Sequence, residues 1–318
     1  MDKRGLEISF AWLFSLIVGA FILFLAIYGV VKLMGVQEGS IDAESAKQIE
    51  VILNSLETNF ETSTKTILTM PAEARIYNKC DPYGDFGQQG IRVSQKSFGD
   101  WTRTNYEPTF YNRYLFSNEY EEGKTFYLFF KPFEFPFKVS DLIYLSSANV
   151  KYCFAGMNSQ KLKDSERELK NLGQTNLLLN SEEECINRDD VFTVCFDNSN
   201  CDIEVDYNED TSTGSVTKNY NENRDTVYFY GDALMYAAIF SEKNIYECQL
   251  QRLMKRTSKL AEIYQEKSAL IARTGCTSTQ AGYLNGLKNI EIKDSSELKS
   301  YISLVESIKS GGGGCELW

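Results

Sequence analysis

Histidine is absent from all 318 residues of the chain. Its absence excludes Ser-His-Asp and Cys-His catalysis and histidine-ligated metal sites, and it removes the most common general base near neutral pH. The sequence also lacks a glycine-rich phosphate loop, a G-x-S-x-G elbow, an H-E-x-x-H motif and a dinucleotide fingerprint. We therefore expect a protein that is not an enzyme and that needs no cofactor or metal. A carboxylate-dependent surface hydrolase stays open as a minor alternative.

Positive charge is also scarce, because 33 lysines and arginines face 44 acidic residues and leave a formal net charge of −11. Nucleic-acid binding depends on neutralising phosphates with lysine and arginine, so we expect no nucleic-acid partner. The apolar fraction of 43% and the charged fraction of 24% are ordinary for a folded protein. Most of the chain should therefore form a globular structure.

The longest apolar run lies near the N-terminus, where residues 8–31 form 24 consecutive uncharged positions. A helix of this length spans about 36 Å, which is enough to cross the bilayer core of about 30 Å. The run is too long for an ordinary secretion signal and no small-x-small cleavage site follows it. Lysine and arginine precede it and acidic residues follow it. The positive-inside rule then predicts a single-pass protein of the cell membrane, with a cytoplasmic N-terminus and an extracytoplasmic remainder.

The residues "KRG" followed by "LEISFAWLF" resemble the class III signal of type IV pilin-like proteins, particularly those of archaea. The resemblance covers about the first 30 residues and implies that a membrane peptidase cuts between Gly5 and Leu6. It also implies that the retained helix packs against other pilin-like helices. Bacterial pilins place a glutamate at the fifth mature position, where this chain has Phe10, and archaeal members often lack that glutamate. The residues of the implied processing site are Lys3, Arg4, Gly5 and Leu6. An uncleaved signal anchor stays open as the alternative.

Beyond the span, the pattern predicts an α+β domain with a largely antiparallel sheet and a C-terminal helical hairpin. Gly35 and Gly39 are expected to interrupt the helix where it leaves the membrane, or to allow a hinge there. Helical spacing of apolar residues follows, then short aromatic and β-branched runs, and then a helical pattern again. The predicted units are 1–34, the cytoplasmic end and membrane helix; 35–65, an amphipathic helix; 66–231, a β-rich region; 232–310, the helical hairpin; and 311–318, a flexible tail.

The chain has eight cysteines and no C-x-x-C pair, which favours disulfides over zinc if the domain is external. Cys195 and Cys201 stand near the base of a predicted hairpin and are the first pair expected to be bonded. If the C-terminal helices turn back once, Cys315 returns toward Cys248, and a bridge between these two is also geometrically allowed.

The long helical pattern near residue 250 carries Arg252, Lys255 and Arg256, which are predicted to lie on its exposed face.

Aromatic residues are concentrated in one stretch, where they make up fifteen of the forty positions 98–137. Such residues are typical both of a sheet core and of surfaces that stack on a glycan or a partner protein. For the phenylalanines we favour the core interpretation, and for the tyrosines both interpretations stay open. The candidate partner-binding aromatics are Trp101, Tyr106, Tyr111 and Tyr114.

These observations together predict a membrane-anchored, non-enzymatic surface protein of pilin-like type, with an external adhesion or assembly domain. Its expected partners are the membrane and either further copies of itself or other pilin-like or envelope proteins. The alternative is an uncleaved, signal-anchored envelope protein whose external domain binds a ligand or partner.

Overall fold

A computed structural model describes most of the chain as an α+β protein that begins with a long helix and continues into two β-sheets. Within the first helix, side chains are described for residues 10–30, 32, 47 and 49. The described residues are 10–55, 65–97, 99–102, 106–180, 184–185, 190–196, 201–220, 223–310, 314–315 and 317–318.

The first helix, α1, spans Phe10–Ser55 in 46 residues and is continuous. The expected interruption at Gly35 and Gly39 is therefore wrong. Isolated glycines cost a helix about 1 kcal/mol each, which the favourable residues around them offset. The C-terminal end of α1 packs against the first sheet, where Ile49 is buried in an apolar cluster with sheet residues such as Ile76.

The first sheet has the strand order β3-β2-β1-β6-β7-β5, and β4 pairs with β2. All of its pairings are antiparallel except that of β5 with β7. One side of this sheet contributes to the cluster around Ile49, and Phe129 and Tyr144 contribute to the main core. The strands are β1 (Lys65–Asp81), β2 (Gln88–Ser97), β3 (Asp100–Trp101), β4 (Thr109–Phe110), β5 (Leu115–Phe116), β6 (Tyr120–Glu134) and β7 (Lys138–Ser147).

The second sheet is mixed, so the prediction of one largely antiparallel sheet holds only for the first. Its order is β13-β12-β11-β10-β8-β9. The pairs from β11 to β13 are antiparallel, and the pairs that join β9, β8, β10 and β11 are parallel. The strands are β8 (Tyr152–Ala155), β9 (Leu177–Leu179), β10 (Phe192–Phe196), β11 (Ile203–Asn208), β12 (Thr213–Tyr220) and β13 (Asn223–Tyr230).

The remaining helices pack on the two sheets and complete the main core. A short apolar helix is its centre, and every residue of that helix from Ala233 to Phe240 is buried. Aromatic side chains surround it: the ring of Tyr144 stacks on Phe129 with 4.4 Å between centroids, and Phe240 meets Phe129 edge-on. The helices are α2 (Gln160–Leu172), α3 (Gly231–Phe240), α4 (Lys243–Ala272), α5 (Ala281–Lys288) and α6 (Lys299–Ser310), with a 3₁₀ turn at Ser295–Leu298.

The C-terminal helices reverse direction twice rather than once. The chain after α4 returns to the start of that helix, where the backbone N–H of Ser295 donates to Glu247 over 2.7 Å. Helix α6 then runs back, so that Gln280 Nε2 donates to the carbonyl of Ile308 over 3.2 Å. The predicted single hairpin is thus replaced by one long helix and two short antiparallel segments beside it.

The second reversal makes the predicted Cys248–Cys315 bridge wrong. The structure instead pairs Cys276 with Cys315 and Cys80 with Cys248. Cys248 and Cys276 stand near opposite ends of α4, about 40 Å apart along the helix, and α6 delivers Cys315 to the far end. A third bridge, between Cys153 and Cys185, joins β8 to the segment after β9.

The described residues of the chain end, 314–315 and 317–318, are packed against the protein and do not form the flexible tail that was expected. Leu317 is fully buried, and Lys267 Nζ donates to its carbonyl over 2.6 Å. The ring of Trp318 lies 5.4 Å from both Phe137 and Tyr264 between centroids. The bridge to the end of α4 and this aromatic contact together hold the last residues in place.

Cys195 and Cys201 are bonded to each other, as predicted, but they do not lie in a hairpin. Strands β10 and β11 pair in parallel. The carboxylate of Asp202 accepts hydrogen bonds from the backbone N–H and the hydroxyl of Thr193, both at 2.8 Å. These bonds hold the start of β11 beside the start of β10, so the two strands run in the same direction.

Candidate functional site

The apolar half of α1 is long enough to cross a membrane. The candidate span is Phe10–Val30, and none of it is buried in the protein. Its 21 residues cover about 31 Å, close to the thickness of a bilayer core. The implied processing site lies outside the described residues, and its members are Lys3, Arg4, Gly5 and Leu6.

The four predicted partner-binding aromatics are not brought together. Trp101 stacks against Arg75, with 4.1 Å between the guanidinium carbon and the ring centroid. Its strand β3 and the strand β4 pair with opposite ends of β2, about 20 Å apart. Tyr106 and Tyr111 are exposed on either side of β4. Tyr114 is fully buried, so its assignment to a binding surface is wrong; it packs below Arg252 in the core.

Three exposed aromatic side chains lie on two neighbouring loops and form what we call the loop patch: Tyr83, Phe86 and Tyr111. Their exposed fractions are 83%, 39% and 60%. The first loop turns tightly, because the Asp81 carboxylate accepts from the backbone N–H of Tyr83 over 3.0 Å. Gly87 is required in this loop, since its φ is +58° and a Cβ there would lie 2.5 Å from the Asp81 carbonyl.

A buried arginine on α4 joins the two loops of the patch. The Arg252 side chain is fully buried, and its three nitrogens all donate, mainly to backbone carbonyls. Burial lowers the pKa of Arg252 to about 10, so it stays charged at neutral pH. The acceptors are the carbonyls of Phe86 at 3.2 Å, Phe110 at 3.2 Å, Tyr111 at 3.0 Å and Arg113 at 2.9 Å, and Oε1 of Gln249 at 2.7 Å. One guanidinium group therefore fixes the backbone of both loops.

Further bonds attach α4 to the same region. The Cys80–Cys248 bridge links the end of β1 to the first turns of α4. Lys255 Nζ donates to the carbonyls of Pro82 at 2.6 Å and Gly84 at 2.8 Å, and Arg256 Nε donates to a β7 carbonyl at 2.8 Å. The prediction that Arg252, Lys255 and Arg256 lie on the exposed face of α4 is therefore wrong, because carbonyls of the loops and of β7 bind these cations. The loop patch rests on a rigid support.

A second candidate site is a cavity of about 930 Å³, which we call the lysine cavity. It lies between the second sheet and the start of α4. Two aromatic residues, Tyr152 and Phe192, form part of its wall, with 6.0 Å between ring centroids. Its charged lining residues are Lys218, Asp225, Glu242, Lys243 and Glu247.

Lys218 is the most unusual group of this cavity. It lies on β12 and is only 6% exposed, and its Nζ donates to the carbonyl of Ser241 over 2.6 Å. Burial lowers the pKa of Lys218 to about 7, although the nearby carboxylates of Glu242, Glu121 and Asp225 act in the opposite direction. Near neutral pH, a large share of this amine is therefore uncharged.

Two glutamates near Lys218 are also perturbed. Burial raises the pKa of Glu121 to about 7, even though its carboxylate accepts from Asn118 Nδ2 at 2.8 Å and from the backbone N–H of Ser147 at 3.0 Å. Burial raises the pKa of Glu242, and the neighbouring charge of Glu119 adds to this effect. A weakly basic amine thus lies near weakly acidic carboxyl groups, of which Glu242 lines the cavity and Glu121 lies outside its lining, and such a combination is common at sites of chemistry.

Sequence reasoning missed Lys218, although the strand pattern carried a signal for it. Lys218 and Val216 lie two positions apart on β12 and therefore point to the same face, and Val216 is fully buried. A lysine at an inward-facing strand position is rare and is a marker of function or of a special partner. Tyr83 and Phe86 were missed because they stand outside the aromatic stretch of residues 98–137.

No protein-family model, curated protein or solved structure matches this chain. Within the described part of the chain, no group of three or more cysteine or acidic side chains is arranged to hold a metal ion. The membrane helix, the loop patch and the lysine cavity are therefore the features that bear on the function of this chain.

Proposed function

We propose that this chain is a membrane-anchored, non-enzymatic surface protein of pilin-like type, whose head domain serves adhesion or assembly. The proposal depends mainly on the continuity of α1 from the apolar span to the first sheet. Its first part is apolar and unburied, and the same uninterrupted helix reaches the first sheet, where Ile49 enters the core. Such a helix can pack against other helices in or near the membrane, and it connects the span to the head domain without an interruption.

The dimensions of α1 fit this role. Its 46 residues measure about 69 Å, of which the span accounts for about 31 Å. The remaining length carries the head to the membrane surface. Four disulfides support an external head, because such bonds persist in oxidising compartments. The basic residues before the span and the acidic residues after it support the same orientation.

The loop patch is the surface that we assign to contact with a partner. Rigid, exposed tyrosine and phenylalanine side chains lose little conformational entropy on binding and are enriched in interfaces. Arg252 and the Cys80–Cys248 bridge hold both loops in one arrangement before any partner arrives. This patch does not depend on N-terminal processing. It therefore also favours the second candidate, an uncleaved, signal-anchored protein that binds an envelope partner.

A photo-crosslinking residue at Phe21 tests assembly through α1 in native membranes. Phe21 lies in the span and is exposed, so the proposal predicts crosslinks to a second copy or to another small membrane-anchored subunit. The matched control is the same crosslinker at Tyr228, which is exposed on the head. If Phe21 gives only lipid adducts, assembly through α1 is contradicted, and the second candidate becomes the better account.

A further inference from the structure

We propose that the lysine cavity is a binding site for a small neutral carbonyl compound bearing hydroxyl groups, which Lys218 captures reversibly as an imine. This inference goes beyond the adhesion or assembly role and does not depend on it. It starts from the volume of the cavity, which lies within the range of about 300 to 1,000 Å³ that is typical of small-molecule binding sites. Lys218 is one of the residues that line that cavity, and its amine donates to the carbonyl of Ser241.

The environment of Lys218 favours nucleophilic chemistry over a structural ion pair. Among the described residues no carboxylate lies within 4 Å of its amine, and its hydrogen bond is made to a backbone carbonyl. A buried lysine that serves stability normally has a close ionic partner. Lysines that form imines are instead desolvated, because only the uncharged amine attacks a carbonyl carbon.

The charged groups around Lys218 come from several elements. Glu121 belongs to β6 and Asp225 to β13. Glu242 is the residue before α4, and Lys243 is the first residue of α4. Lys243 is paired with Asp225 at 3.5 Å. Around Lys218, carboxyl groups therefore outnumber amines. The site should therefore disfavour an anionic carbonyl compound such as a 2-oxo acid.

The reaction balances without an oxidant or a reductant. The uncharged Nζ of Lys218 adds to the carbonyl carbon, and one proton passes from the nitrogen to the carbonyl oxygen to give a carbinolamine. The nitrogen then gives up its one remaining proton as the C=N bond forms, and the hydroxyl takes up a proton and leaves as water. A carboxyl group with a raised pKa can supply the proton that the leaving hydroxyl needs, and Glu242 is such a group in the cavity wall, where its charge acts on Lys218.

Polar and aromatic groups of the wall indicate the class of ligand. Asn118, Asn244 and Asp225 offer hydrogen-bond partners for hydroxyl groups, and the rings of Tyr152 and Phe192 offer an apolar surface. A hydroxylated aldehyde or ketone, the class to which open-chain sugars belong, satisfies both kinds of surface. Asn244 is held in place by a hydrogen bond to Glu119.

Reductive trapping on the full-length protein in detergent micelles tests the proposal. The protein is incubated at pH 7 with glycolaldehyde and cyanoborohydride, and labelling of individual lysines is measured by peptide mass spectrometry. Lys243 is the internal control, because it lines the same cavity and is more exposed. We expect Lys218 to be labelled on the order of tenfold faster than Lys243, since burial lowers the pKa of Lys218 and raises the share of its amine that is uncharged at this pH.

Three further arms make the result decisive. Unfolding in guanidinium should bring the ratio of the two labelling rates to about one. The ratio of Lys218 to Lys243 labelling should be lower with pyruvate, an anionic carbonyl probe, than with glycolaldehyde, since the ratio cancels the lower intrinsic reactivity of a ketone. A Glu242→Gln variant should lower the Lys218 rate several-fold and leave Lys243 unchanged. Equal labelling of Lys218 and Lys243 in the folded protein, or no labelling of Lys218, would overturn the proposal; an unchanged rate in the Glu242 variant would overturn the role of that carboxyl group.

Discussion

Among the four disulfides, removal of the Cys80–Cys248 bridge should lower the free energy of unfolding the most. The bridge closes a loop with a sequence separation of 168, whereas Cys195–Cys201 closes one of 6. The loop-entropy relation assigns about 5 kcal/mol of stabilisation to the first and about 2 kcal/mol to the second. Smaller bridges lie inside the large loop and shorten it, but the logarithmic dependence changes the larger value only by a few tenths of a kcal/mol.

The measurement is urea denaturation of the full chain in detergent micelles, followed by far-ultraviolet circular dichroism. The double variant Cys80→Ala/Cys248→Ala is compared with the matched double variant Cys195→Ala/Cys201→Ala. We expect the free energy of unfolding to fall by about 3 kcal/mol more in the first variant than in the second. Equal losses, or a larger loss for Cys195→Ala/Cys201→Ala, would refute the reasoning, because chain entropy would then not be the main contribution.

The same denaturation assay checks three further predictions. Arg252→Met should lower the free energy of unfolding by about 3 kcal/mol or more, since it leaves several buried carbonyls without donors. A loss below about 1 kcal/mol would contradict the role of Arg252 in fixing the two loops. Ile49→Asp should be destabilising by several kcal/mol and the exposed control Lys47→Asp nearly neutral, if α1 packs on the sheet; similar effects would contradict that packing. The lowered pKa of Lys218 means that stability should rise as pH increases from about 7 towards 10.5, and the raised pKa of Glu121 means that stability should fall between about 4.5 and 7. Lys218→Met should abolish the first slope and Glu121→Gln the second, and slopes that persist in these variants would exclude the assigned groups.

Local features of this fold were predictable from the sequence. The apolar span was evident from its length, and the long helix α4 was evident from its heptad-like spacing. The phenylalanines around Phe133 were expected in a core and are buried there. Each of these features depends on neighbouring residues along the chain, where helix and strand periodicity are most informative.

The features that sequence reasoning missed depend on long-range contacts. The second reversal that places Cys315 beside Cys276 is decided by how α5 and α6 pack, and no local pattern marks it. The parallel pairing of β10 and β11 depends on Asp202 reaching back to Thr193. Arg252 looked like a surface residue because its partners are backbone carbonyls far away in sequence, which leave no signature in residue type.

The candidate sites follow the same division. Tyr111 was one of the candidate partner-binding aromatics, although its exposure was left open. The loop patch forms because α4 holds the loop of Tyr83 and Phe86 beside that of Tyr111. The lysine cavity was not predicted, since its wall combines the second sheet with the start of α4. The inward-facing position of Lys218 on β12 was a local signal for it that sequence reasoning did not use.

The mass of the mature N-terminal peptide, measured on protein purified from its native membranes, is the most direct test of the pilin-like account. The account predicts a chain that begins at Leu6, with Lys3, Arg4 and Gly5 removed on the cytoplasmic side and α1 retained. A chain that begins at Met1, with the whole leader present, would contradict it.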